Sequence, residues 1–75
     1  MTRVSLTQLR NWRISKVLSH TALARESGVT TNTIASLEAG RYRANFSTVR
    51  KLALALGIEP ETLAWGEAPA LHVEN

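Results

Sequence analysis

The sequence has no cysteine and no aspartate, only two histidines, His20 and His72, two prolines and four Phe, Tyr or Trp residues in 75. Without cysteine and with so few histidines, neither a disulfide framework nor a Cys/His metal cluster can hold the core. The glutamates near the termini have no identifiable basic or nucleophilic partners, so no triad, carboxylate pair or metal site assembles. A glycine-rich phosphate loop is also missing. The expectation is a non-enzyme without a cofactor. Every apolar run is interrupted by Arg, Ser or Gly within a few residues, which excludes a membrane span, and the N-terminus lacks the apolar segment of a signal peptide. The chain is expected to stay in the compartment where it is made. Lack of cysteine fits a reducing cytosol. A chain this short buries only about 60% of the surface its unfolded form exposes, which leaves room for one small domain stabilised by helix packing or by association with another chain.

What is present is positive charge, unevenly spread. All nine basic residues lie between Arg3 and Lys51, opposed only by Glu26 and Glu38, so that stretch carries +7. From Leu52 onward four glutamates and no basic residue give −4. One-signed charge at this density, with a sequence pI near 10.2, points to a polyanion. Nucleic acid is the first candidate and an anionic membrane surface the second.

Glycines 28, 40, 57 and 66 divide the chain into short helical units, and no strand alternation persists long enough to compete. Leu6, Leu9 and Trp12 or Arg13 give an inward stripe to a first helix from Ser5 to Lys16, after which Val17 and Leu18 are expected to cross the core. Ser19 suits the N-cap of a second helix, Thr21 to Ser27, with Leu23 and Ala24 inward and Gly28 as its left-handed stop. Thr30 suits the cap of a third, Thr31 to Ala39, with Ile34, Leu37 and Glu38 on one face. Two short helices joined by a tight glycine-containing turn form the helix-turn-helix pattern. Asn45 can cap a fourth helix to Leu56, with Phe46, Val49, Leu52, Ala53 and Leu56 at helical spacing, and Pro60 opens a fifth that ends near Trp65. Residues 66–75 have no helical period, so the reading is a domain over 1–65 and a tail that is either mobile or part of a dimer contact.

The stretches LSHTALARESGVTTNTIASLEAGR and STVRKLALALGIEPETL resemble the Cro and C1-type helix-turn-helix family of phage repressors and bacterial regulators. The resemblance runs without a gap from Leu9 to Leu63, through Leu23-Ala24, Gly28-Val29, Thr33-Ile34, Glu38, Gly40, Leu52-Ala53 and Leu56-Gly57. The sequence departs from the family at His20, Ala39 and Ala44, where Gln, Asn and Pro are usual. The resemblance implies an all-α, compact five-helix, lambda-repressor-like DNA-binding domain. Its third helix would enter the major groove, its second would lie across the backbone, and it would bind double-stranded DNA as a homodimer on two half-sites.

In that motif the start of the third helix faces the bases. Thr30 and Thr33 would build that start, while Thr31, Asn32 and Ser36 are the candidate base readers. Asn32 leads, because an amide makes a bidentate pair with adenine and a threonine methyl packs on thymine. The alternative is that these are ordinary solvated residues and that Thr30 only caps. The family places a phosphate-contacting side chain at His20, and Arg10, Arg41 and Arg43 are candidate phosphate clamps, with Tyr42 adding a hydroxyl or packing on its loop. The resemblance further implies a structural pair, Arg13 with Glu38, joining the first and third helices.

Leu63 and Trp65, with the apolar Ala70, Leu71 and Val73, are either a dimer seam or a flap over the chain's own core, and Trp12 and Ile14 share that ambiguity. The function expected is a sequence-specific transcriptional regulator, a repressor on an inverted repeat, cytoplasmic and nucleoid-associated. An antitoxin or adaptor on the same fold is the alternative, and partnership with RNA polymerase or a toxin stays open.

Overall fold

The computed structural model describes residues 3–71. The described chain runs β1 (Val4–Ser5), α1 (Leu9–Ser15), α2 (His20–Ser27), α3 (Thr31–Glu38), β2 (Arg43–Ala44), α4 (Phe46–Leu56) and α5 (Pro60–Trp65). The five helices enclose one core in which Leu6, Leu9, Leu23, Ile34, Leu37 and Leu52 are fully buried. Among the described residues no helix is long and apolar enough to cross a membrane.

The first helix starts four residues later than its periodicity suggests. Val4 and Leu6 point inward with Ser5 exposed between them, a period of two, and Val4 pairs with Ala44 and Ser5 with Arg43 in an antiparallel ladder. Two residues are too few to register as a strand in sequence, and their partner lies about forty positions away. The pairing matters because it fixes the chain's N-terminal end to the loop that follows α3.

Each helix that flanks the turn has a side-chain N-cap. Ser19 Oγ accepts from Ala22 N at 3.0 Å and Thr30 Oγ1 accepts from Thr33 N at 3.2 Å. Gly28, at φ 76°, closes α2 in the left-handed region, which costs a glycine nothing sterically. The α1 terminus uses the same geometry without glycine. Val17 sits at φ 57°, donates from N to Ile14 O, and leaves Leu18 N on Arg13 O, the paired bonds of a Schellman motif. Val17 is 91% exposed, so it does not cross the core as expected; the left-handed turn throws its side chain outward, and Leu18 alone packs inward.

Phe46 also departs from expectation, being half exposed. As the first residue of α4 its side chain leans toward the helix start, beyond the core that Val49, Leu52, Ala53 and Leu56 fill. In the tail up to Leu71, Asn11 Nδ2 donates to Pro69 O at 3.3 Å and Ala68 N donates to Gln8 Oε1, so this strap lies against the start of α1. Val73 and the rest of the tail, with His72, lie outside the described residues.

Candidate nucleic-acid interface

The side chains of α3 divide cleanly. Ile34 and Leu37 are buried and anchor the helix, while Thr31, Asn32 and Ala35 are exposed and Ser36 is half-buried. The Thr30 hydroxyl accepts from the Thr33 backbone and donates to Thr33 Oγ1 at 2.9 Å, so these two threonines satisfy each other and build the helix start. Thr31 and Asn32, at the first two helical positions, are exposed and make no side-chain hydrogen bond among the described residues.

Gly40, at φ 76°, turns the chain back after α3, with Arg41 N bonded to Ser36 O at 3.0 Å. That turn brings the basic loop alongside the recognition face. Asn32, Thr33, Ser36, Arg41 and Tyr42 line one shallow concavity, so two of the candidate base readers, Asn32 and Ser36, share a surface with two candidate phosphate ligands. Arg43 is exposed in β2 beside it, and Arg10 is exposed on α1.

The structure adds a residue that the sequence reading did not single out. Arg3 donates from Nη1 to Arg43 O at 3.4 Å, and its guanidinium carbon lies 6.0 Å from the Tyr42 ring centroid, at the reach of a cation–π contact. Arg3 therefore joins Arg41 and Arg43 around Tyr42. No local motif marks it; only the β1–β2 pairing puts it there.

Behind this face lies a buried ionic cluster. Arg13 Nε donates to Glu38 Oε2 at 2.7 Å and Arg13 Nη2 to Glu38 Oε1 at 3.1 Å, a bidentate fork. Arg13 Nη1 donates to Leu18 O at 2.9 Å, tying in the link between α1 and α2. His20, a candidate phosphate ligand, has Nε2 3.1 Å from Glu38 Oε1, and its side chain remains 44% exposed. One carboxylate thus fixes α1, the start of α2 and the end of α3 to one another. Burial alone would raise the Glu38 pKa, but hydrogen bonds and charge from Arg13 and His20 outweigh it and hold the carboxyl below its ordinary 4.5.

Among the described residues, the ion pairs all converge on Glu38. No other arginine or lysine makes an ion pair among the described residues, so the basic face has the character that attracts a polyanion.

Leu63 is 3% exposed and belongs to the core, so its side chain is not available to a seam. Trp65 is 69% exposed and lines an apolar groove with Val4, Phe46, Val49, Pro60 and Ala64, flanked by Arg50 and Glu61. Trp12 and Ile14 are half-buried, and Trp12 packs on the core.

Residues 9–63 match the family model for Helix-turn-helix. A comparison with curated proteins returns no match. Among solved structures, the restriction-modification controller protein C.AhdI from Aeromonas hydrophila is 38% identical, with a TM-score of 0.74 over 80% of this chain and 92% of that one. An HTH_3 family transcriptional regulator from Vibrio cholerae is 28% identical at a TM-score of 0.75, over 80% of this chain and 34% of its own. The P22 c2 repressor, in complex with a synthetic operator, shares the fold at a TM-score of 0.74 and 24% identity, over 88% of this chain and all of that one. A basic face around an exposed third helix, with a family match across most of the chain, has one reading: the protein is a DNA-binding transcriptional regulator of the Cro/C1-type helix-turn-helix family.

Proposed function

We propose that the protein binds a specific inverted-repeat operator as a homodimer, α3 of each copy in the major groove, and represses transcription by occupying that site. The observation that carries this is the shared concavity of Asn32, Ser36, Arg41 and Tyr42. Base-edge readers and phosphate ligands must approach one duplex together, since phosphate contacts set the register in which base contacts are read. Asn32 reads an adenine, Thr31 and Ser36 assist, and Arg41, Arg43, Arg10 and Tyr42 hold phosphates.

The apolar groove beside Trp65 supports dimerisation. An isologous contact across a two-fold axis would cover Trp65 and the apolar groove, which carries one basic and one acidic residue, Arg50 and Glu61, at its edge. Half-sites would then lie about 34 Å, or a multiple of it, apart. The description of the 38%-identical relative as a controller protein supports a regulatory role.

Selection of bound sequences from a random duplex pool at about 0.15 M salt, where electrostatic binding alone is weakened, tests the proposal. An inverted repeat is the expected product. Enrichment of no sequence would overturn it.

A further inference from the structure

The Glu38 cluster constrains the chemistry of His20 more tightly than a phosphate contact alone would suggest. An ionised carboxylate only accepts hydrogen bonds, so the imidazole nitrogen facing Glu38 Oε1 at 3.1 Å must carry a proton. Glu38 is held ionised by Arg13, which donates to both of its oxygens. A neutral His20 in this position is therefore the Nε2–H tautomer, with a lone pair and no hydrogen at Nδ1. Among the described residues no hydrogen bond engages Nδ1, and the side chain is 44% exposed at the first residue of α2. A phosphate oxygen is itself only an acceptor, so it meets a lone pair in the neutral form and an N–H donor in the imidazolium.

We propose that His20 serves as a DNA phosphate ligand only when doubly protonated, so that DNA binding takes up a proton at each His20. This rests on the DNA-binding reading above and adds to it a dependence on pH. The charged groups that face the imidazole are Glu38 from α3, bonded to it, and Arg13 from α1, bonded to the same carboxylate. Arg50 and Lys51 of α4 and Arg25 and Glu26 of α2 are exposed and make no ion pair to it among the described residues.

Phosphate contacts are independent of sequence, so a mixed-sequence duplex serves as the probe. Affinity is measured by titration at fixed ionic strength between about pH 6 and about pH 8. The wild type is expected to lose up to about tenfold in affinity per pH unit for each His20 engaged, and its log–log salt slope is expected to be larger at the lower pH by about one per engaged His20. His20→Gln, which carries no titrating proton, is expected to lose the pH dependence. His20→Lys, with a fixed positive charge, is expected to bind more tightly than the wild type at the higher pH and with a flat profile. His72→Gln is expected to keep the wild-type dependence.

Salt-dependent binding that is flat with pH in the wild type would overturn this proposal alone. So would an unchanged pH profile in His20→Gln or His20→Lys. Absence of salt-dependent binding at either pH would overturn the DNA-binding reading and this proposal with it.

Discussion

The Glu38 carboxylate is the point at which the fold should be most sensitive. Arg13 and Glu38 have side chains only 9% and 8% exposed, and their fork joins α1 to the end of the recognition helix. A buried pair adds little net stability over apolar residues of similar size, but removal of one partner strands a charge and costs about 3–5 kcal/mol. A domain of this length has a total stability of about 4–11 kcal/mol at the usual 0.05–0.15 kcal/mol per residue, so a single substitution removes a large share of it.

The geometry also orders the variants. Glu38→Gln leaves the buried guanidinium with no counter-charge, whereas Arg13→Met leaves Glu38 still bonded to His20. Glu38→Gln should therefore be the more damaging of the two, and the double variant Arg13→Met/Glu38→Met should recover most of the loss. Urea titration followed by circular dichroism gives each value, and the double-mutant cycle gives the coupling. Because the folded pKa of Glu38 is lowered, its ionic contribution is complete above the unfolded value and is lost as the pH falls through the folded one. The gap between wild type and Glu38→Gln should accordingly close in acid below about pH 4. A cost under about 1 kcal/mol for Glu38→Gln at neutral pH, or no recovery in the double variant, would refute the reasoning.

Other consequences follow from single residues. Val17→Gly should stabilise the domain by about 0.5–1 kcal/mol in thermal or urea unfolding, because a β-branched residue is strained at φ 57° by about 1–2 kcal/mol and the greater backbone freedom of glycine offsets only part of that gain. Arg3→Ala should weaken binding to all duplexes alike and lower the log–log salt slope by about one, read from titrations at several salt concentrations. Trp65→Glu should shift the sedimentation of the protein toward monomer and leave its helical circular dichroism intact, since Trp65 is exposed and outside the core.

Most of the helical frame was legible because its signals are local. Ser19, Thr30 and Asn45 all cap the helices they precede, accepting from the backbone of the residue three positions on. Gly28 adopts the left-handed stop expected of it, and Gly40 and Gly57, read as breaks between helical units, lie in the same region. What was not legible depends on distant pairing. Ser5 reads as the start of a helix because Leu6 and Leu9 share its period, and only Ala44 and Arg43 across the chain make Val4 and Ser5 a strand. Arg3 gained its place beside Tyr42 by the same route. Arg13 and Glu38 were readable as a pair, but His20 as their third member was not, since its position in sequence fits a free phosphate ligand equally well. Val17 misled because an apolar residue between two helices usually crosses a core, and here the turn needs its backbone instead of its side chain. Leu63 and Trp65 lie two apart on α5, and the helical turn between them sends one into the core and leaves the other in the open.

The claim at the centre of this account is that the free end of α3 reads base edges. The most direct test compares wild type and Asn32→Ala on the selected duplex and on every single-base variant of it. Asn32→Ala is expected to lose about 1–3 kcal/mol on the selected duplex and to stop discriminating at one adenine in each half-site, with preferences elsewhere unchanged. An equal loss on every duplex, with discrimination at all positions intact, would contradict it.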